Sequence, residues 1–287
     1  GHAELSVNEL VTILGQTQPR VSRHLKLLVE GGLLQRNKEG SRAYYRLSNG
    51  AEGLSLGQML NDLIPEDDEV HSLDLSRLSS VNAERVRYAE SYADPYFQEI
   101  TNLRDLWPPD EIIDEHILEM VKGRSVQHLL DVGTGAGRIL KVLAPFIEKG
   151  TGIDNSLEML SIARARLDQD GIRNCQVRVG DMYRLPFGQN SFDLITINSW
   201  LRYADQPKKV IAEAARVLKE SGALLIVDLA AHDLSELRDE YSHSWLGFSE
   251  FEMLEMLTEE SLGVSKLKHI DGQKLSLCIW LASRDHC

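Results

Sequence analysis

Asp131, Gly133, Gly135 and Gly137 are spaced to act together on a ligand. They lie in QHLLDVGTGAG, Gln127 to Gly137, where an apolar run (Leu129, Leu130, Val132) carries an acid and then gives way to three glycines at alternate positions. Glycine tolerates positive φ and lets a ligand lie close to the backbone. A helical pattern opens at Arg138, so the free N–H groups of a helix start stand behind the loop. Two further acids end later apolar runs: Asp154, 21 residues after Gly133, and Asp181 in GDMYRLPF. A carboxylate at position 154 is at the usual distance to accept hydrogen bonds from ribose hydroxyls. These residue types suit the capture of a nucleoside.

The spacing separates two kinds of nucleoside. A dinucleotide fingerprint, G-x-G-x-x-G, needs its third glycine at position 138, which is Arg here. A nicotinamide enzyme is excluded on that ground. D-x-G-x-G-x-G instead resembles the first motif of S-adenosylmethionine (SAM) dependent methyltransferases. The resemblance covers about residues 125–230. It implies that Asp131 holds the methionyl ammonium, Asp154 the ribose and Asp181 the adenine amino group, with Met182 beside the ring. It adds Asn155 and Asn198 to the cofactor-binding set, with SAM or S-adenosylhomocysteine as the ligand.

The elements that must position these residues alternate as strand and helix, the pattern of a parallel sheet covered on both faces. Strands are expected at Gln127–Val132, Gly150–Asp154, Gln176–Asp181, Phe192–Ile197 and Ala223–Asp228. Helices are expected at Arg138–Ile147, Leu157–Gln169, Lys208–Glu220 and Ser249–Glu260. Val264–Ile270 and Leu275–Leu281 are placed to close the sheet as an edge hairpin. Seven strands with that ending resemble the class I methyltransferase fold, whose ligands sit beyond the C-terminal strand ends.

The acceptor side belongs after the fourth strand, at Asn198-Ser199-Trp200-Leu201-Arg202-Tyr203. DNA amino-methyltransferases carry N/D-P-P-Y there; INSW stands instead, and no cysteine follows, so base methylation is not expected. Trp200 and Tyr203 are acceptor-side candidates, as are His232, Glu240 and His243. Glu236, Glu240 and His243 are at helical steps, so one face of a helix would present them. Such a face lines a pocket, supplies a base or is simply solvated. No thiolate joins it, and no metal site is assigned.

The first 50 residues read differently. They carry seven Lys/Arg against four Asp/Glu, net +3, while the remainder carries 24 against 40, net −16; the whole chain is at −13. An acidic body repels nucleic acid, and a basic head attracts it. Ser6 and Glu9 form a capping-box pattern before Val7, Leu10, Val11 and Leu14, giving a short helix that stops at Gly15. Thr17 can cap a second helix to about Glu30, with Val21, Leu25, Leu28 and Val29 on one face and His24 near the buried side. Two short helices across a tight turn form a helix-turn-helix, whose second helix enters the major groove. Leu34–Lys38, a Glu39-Gly40 turn and Arg42–Leu47 form a hairpin wing. Gln18, Arg20 and Arg23 are candidates for base edges, and Ser22, Lys26, Arg42 and Arg46 for phosphates.

ELVTILGQTQPRVSRHLKLLVEGGLLQRNKEGSRAYYRL, within residues 3–48, resembles an ArsR-type winged helix-turn-helix. That implies a double-stranded DNA operator and a homodimer. The family's first helix has no counterpart ahead of this stretch. Metal-sensing members place C-x-C in the helix before the recognition helix. Ser6 and Asn8 stand there, so soft-metal sensing is not expected.

Three regions follow: residues 1–64 as the DNA-binding and dimerisation domain, 65–122 as a helical connector or cap, and 123–287 as the methyltransferase-like domain. The stretch Ala51–Ile64 is the dimerisation helix by resemblance, Pro65–Glu69 an acidic break, and Leu73–Tyr92 and Asp110–Lys122 helices, the last with Ile112, Ile113, Ile117 and Val121 inward. The connector helices either cover the ligand cleft or pack on the sheet. Three isolated cysteines fit a reducing cytoplasm, and no apolar run approaches a membrane span.

The architecture resembles bacterial regulators that fuse an ArsR-type head to a methyltransferase-like body, some responding to S-adenosylhomocysteine and linked to the methionine cycle. Two functions stay open: a DNA-binding regulator that senses the nucleoside, and an active small-molecule methyltransferase with an autoregulatory head.

Overall fold

A computed structural model describes residues 4–39, 42–48, 59–60, 63–65, 68–91, 106–241 and 243–284. The head consists of β1 (Leu5–Ser6), α1 (Val7–Leu14), α2 (Gln18–Glu30), β2 (Leu34–Glu39) and β3 (Arg42–Leu47). Its small sheet runs β1-β3-β2, with Glu39 paired to Arg42 at the wing tip. The capping box forms: Glu9 N donates to Ser6 Oγ at 3.3 Å and Ser6 N to Glu9 Oε2 at 2.7 Å. Thr17 makes no side-chain cap bond, and Pro19 in the first turn sets the start of α2. Val21 and Leu25 are buried, but Leu28 is exposed, so the packed stripe is narrower than expected. His24 is exposed rather than turned inward. The tight wing turn at Gly40 lies outside the described residues, as does most of the expected dimerisation helix at 51–64.

Among the described residues two connector helices follow, α3 (Glu69–Ser91) and α4 (Asp110–Val121). The first packs on α1 of the head and on a helix of the body. The second buries Ile113, Ile117, Met120 and Val121 against the sheet; Ile112, expected inward, is exposed, and Met120 takes its place.

The body comprises β4 (Val126–Val132), α5 (Arg138–Leu143), β5 (Ile147–Asp154), α6 (Leu157–Gln169), β6 (Cys175–Val179), β7 (Phe192–Asn198), α7 (Pro207–Val217), β8 (Leu218–Leu229), α8 (Glu236–Tyr241), α9 (Glu250–Glu259), β9 (Leu262–Ile270) and β10 (Leu277–Arg284). Among the described residues seven strands form one sheet in the order β6-β5-β4-β7-β8-β10-β9. β4 to β8 pair in parallel, and β10 inserts antiparallel between β8 and β9. Apolar clusters cover both sheet faces. The order reverses at β4, which pairs with β5 on one side and β7 on the other, and such a switch point opens a ligand crevice at the strand ends.

Several boundaries move for local reasons. The helix expected to reach Ile147 ends at Leu143, and Ala144–Phe146 tightens to a 3-10 turn around Pro145, which lacks an N–H. β6 ends at Val179, so Asp181 sits in the next turn, bridged to Arg184, and does not close the strand. Leu218 to Glu220, expected as helix, opens β8.

Candidate functional site

β4 delivers Asp131 and the glycine loop to the crevice. Gly133, Gly135 and Gly137 all take positive φ, at 70°, 50° and 82°. The loop is clamped from β5: Thr134 N donates to Ile153 O at 2.8 Å and Gly135 N to Asp154 Oδ2 at 2.9 Å. Ser156 N donates to the other Asp154 oxygen at 2.9 Å, and Ser156 caps α6. Asp154 is thus buried, and it fixes the loop and the start of the next helix.

A cleft of about 220 Å³ opens over this loop. It brings together five of the residues singled out from the sequence: Asp131, Gly133, Gly135, Asn198 and Trp200. Gly137, Asp154, Asn155, Asp181 and Met182 are outside its lining. Gly137 caps α5 and approaches Ala163 of α6. Asn155 and Asp181 are exposed, and Met182 packs on the core. The sequence did not single out Trp107, Thr134, Arg138, Met159 or Arg166, which also line the cleft. The Trp107-Pro108-Pro109 break was the available signal for the first.

Asp131 is 1% exposed, and Thr196 Oγ1 donates to its Oδ1 at 2.6 Å. Burial pushes its carboxyl up to about 6, and the Thr196 bond offsets part of that rise. Its Oδ2 and the Oδ1 of Asn198 are buried without a hydrogen-bond partner. Two buried acceptors facing one cleft fit a ligand that brings donors and positive charge. An ammonium beside a bound adenosyl group meets that requirement.

The stretch after β7, expected to face an acceptor, is tightly packed among the described residues. Arg202 is fully buried, and its Nη1 donates to Asp228 Oδ1 at 2.9 Å. Its guanidinium lies 5.5 Å from the Trp107 ring and 4.9 Å from that of Tyr203. His243, 1% exposed, meets Arg202 at 3.4 Å and stands edge-on to Tyr203. Tyr203 and His243 therefore pack around a buried ion pair. The expected helix face of Glu236, Glu240 and His243 does not form, because α8 ends at Tyr241 and His243 turns into the core. Glu236 is exposed, and the Glu240 side chain lies outside the described residues. His232 is half-buried, and burial holds its imidazole below the ordinary value, with His243 and Arg202 adding to the effect. Trp245 keeps an exposed edge, while its indole donates to Ala204 O at 2.9 Å and its ring stacks on buried Phe248.

In the head, Gln18, Ser22 and Lys26 recur at four-residue steps along α2 and share a groove of about 850 Å³ with Arg36 and Arg42 of the wing. Arg20 and Arg23 are exposed outside that groove. Arg46 is turned to the body: it donates to Gln176 Oε1 at 3.1 Å and to Arg173 O at 3.4 Å.

A sheet of this order with a glycine-loop crevice defines a Rossmann-like methyltransferase fold, here behind a winged helix-turn-helix head. Residues 130–226 match the family described as methyltransferase domain, and residues 1–43 match the MarR family, a winged-helix family. An uncharacterised methyltransferase of Bacillus subtilis, YcgJ, is 31% identical over 112 residues, covering 39% of this chain and 44% of that protein. The demethylmenaquinone methyltransferase of Thermotoga maritima is 39% identical over 118 residues, covering 40% and 49%. The solved structure of geranyl diphosphate methyltransferase with SAM superposes with a TM-score of 0.54 at 17% identity, over 61% of this chain and 86% of that one. The chain spans about half the length of the curated relatives it matches. Among the described residues no helix is long and apolar enough to cross a membrane.

Proposed function

We propose that the chain is a DNA-binding transcriptional regulator whose methyltransferase-like domain senses SAM or S-adenosylhomocysteine. One observation carries the choice of sensor over enzyme. Among the described residues the segment after β7, where an acceptor would sit, is packed by the buried Arg202–Asp228 pair together with Trp107, Tyr203 and His243. The exposed Gln18, Ser22 and Lys26 on the recognition helix support operator binding. The ArsR-type head, the homodimer and the control of methionine-cycle genes belong to this reading through the resemblance of residues 3–48 and of the whole architecture. A sensor regulates only if its ligand favours one arrangement of the protein over another. Measuring promoter affinity with SAM, with S-adenosylhomocysteine and with neither tests it. Unequal affinities are expected, and equal affinities reject the reading.

The second reading is a small-molecule methyltransferase whose head controls its own operon. The glycine loop, buried Asp131 and the methyltransferase relatives support it. Bound SAM would supply the transferable methyl group, and the residues described would hold and orient it. Formation of S-adenosylhomocysteine with any acceptor of a broad panel would favour this reading.

A further inference from the structure

Arg164 of α6 is the centre of the contact between head and body. It is 4% exposed and touches both. Its Nε donates to Glu4 Oε2 at 3.0 Å, and its Nη2 donates to Glu39 and to Val177 O. Its guanidinium lies 3.9 Å from the centre of the Tyr44 ring. Glu4 precedes β1, Tyr44 lies on β3, and Glu39 is the last residue of β2, at the tip of the wing. The Glu39 side chain is 4% exposed. A strand end of the wing thus has its carboxylate buried against the neighbouring domain. The wing's other side is held by Arg46, through Gln176 and Arg173. Arg42 lines a cleft with Glu84 and Glu158, acids that repel phosphate. Ser161 of α6 lines the same groove as Gln18, Ser22 and Lys26. The body therefore borders the space that a duplex must enter.

A buried ionic cluster adds little net stability, because desolvation offsets the attraction. Its best-attested use is to select one arrangement over others. The helix that carries Arg164 also touches the nucleoside cleft. Ser156 caps it beside Asp154, and Met159 and Arg166 line the cleft. Ala163, next to Arg164, lies against the glycine loop, where a Cβ at Gly137 would come within 3.2 Å of its own. One rigid helix thus has a face on the ligand site and a face on the wing.

We propose that the Glu4–Arg164–Glu39 cluster is an autoinhibitory latch that holds the wing against the body, keeps duplex DNA off the recognition helix, and is set by the nucleoside cleft through α6. This rests on the regulator reading above. A ligand controls the latch to the extent that it binds the latched and released forms unequally.

The test uses the full chain, a fluorescent duplex of its own promoter region and hydrogen exchange across residues 34–47. Arg164→Met and Glu39→Gln are compared with the wild type; the second variant keeps the shape of the wing tip should the first fail to fold. Without ligand, both variants are expected to bind the duplex at least about tenfold more tightly, a difference of roughly 1.4 kcal/mol. Their wing amides exchange faster, and their affinity responds less to SAM or S-adenosylhomocysteine. Faster wing exchange with unchanged or weaker DNA binding overturns the latch. A wild type that binds DNA in a ligand-dependent way, with variants that match it, removes the latch and leaves the regulator reading standing. Failure of all three proteins to bind the duplex removes both.

Discussion

Trp200 lies against Gly133: a Cβ built on that glycine would stand 2.3 Å from Trp200 Cδ1. The contact follows from positive φ on both sides, unstrained at the glycine and costly at the serine. Gly133 has φ 70°, and Ser199, just before the indole, has φ 61°, a conformation rare outside glycine. The β7 end thus turns an aromatic ring onto the loop that β4 presents.

Gly133→Ala is expected to displace Trp200 and to weaken SAM and S-adenosylhomocysteine binding by more than about tenfold. The positive φ alone makes the substitution destabilising by roughly 1 kcal/mol or more. Calorimetry gives the affinity, and indole fluorescence reports the displaced ring.

Ligand binding should depend on pH through Asp131. Its carboxyl is raised to about 6 by burial, so it is largely neutral at pH 5 and charged at pH 7.5. A cationic ammonium binds the charged form, so affinity rises with pH through that value, by up to about tenfold. Below pH 6 binding should release a proton, read as a buffer-dependent heat. Thr196→Val removes the 2.6 Å hydrogen bond that favours the carboxylate, so the midpoint should move upward. An affinity flat from pH 5 to 7.5 would contradict this role.

On the proposed reading, specificity and attraction fall to different residues of the head. Lys26→Ala should weaken binding to all duplexes alike and lower the salt slope by about 1. Gln18→Ala should cost about 1–3 kcal/mol on the preferred sequence only. Anisotropy titrations on promoter and scrambled duplexes, at several salt concentrations, separate the two.

Arg202 and Asp228 are both fully buried. Arg202→Met leaves a carboxylate uncompensated in the core, at about 3–5 kcal/mol. Denaturant unfolding should show the loss, and Arg202→Met combined with Asp228→Leu should recover much of it.

The parts of this molecule legible in the sequence are those set by near neighbours. The capping box at Ser6 and Glu9, the glycine loop after Asp131 and the alternation of strand and helix all rest on local spacing. The crevice itself follows, because strand order fixes where Asp131, Asn198 and Trp200 converge. The interior ion pairs were not legible. Arg164 sits in IARARLD, where it looks like any solvated helix charge, and its partners Glu4 and Glu39 lie 160 and 125 residues away. The pairing of Arg202 with Asp228, 26 residues on, was hidden for the same reason. Burial also redirected residues that spacing had placed elsewhere: His243 packs on Arg202 instead of extending a helix face, and Arg46 faces Gln176 rather than open solvent. The head's likeness reads as ArsR-type in its motif and matches the MarR family over residues 1–43, so winged helix is the level at which they agree.

The most direct measurement is calorimetric titration of SAM and S-adenosylhomocysteine into the full chain, alone and with its promoter duplex. One ligand bound per chain is expected, lost in Gly133→Ala, with affinities that the duplex shifts unequally for the two nucleosides. No heat with either nucleoside, or binding indifferent to both Gly133→Ala and DNA, would contradict the account.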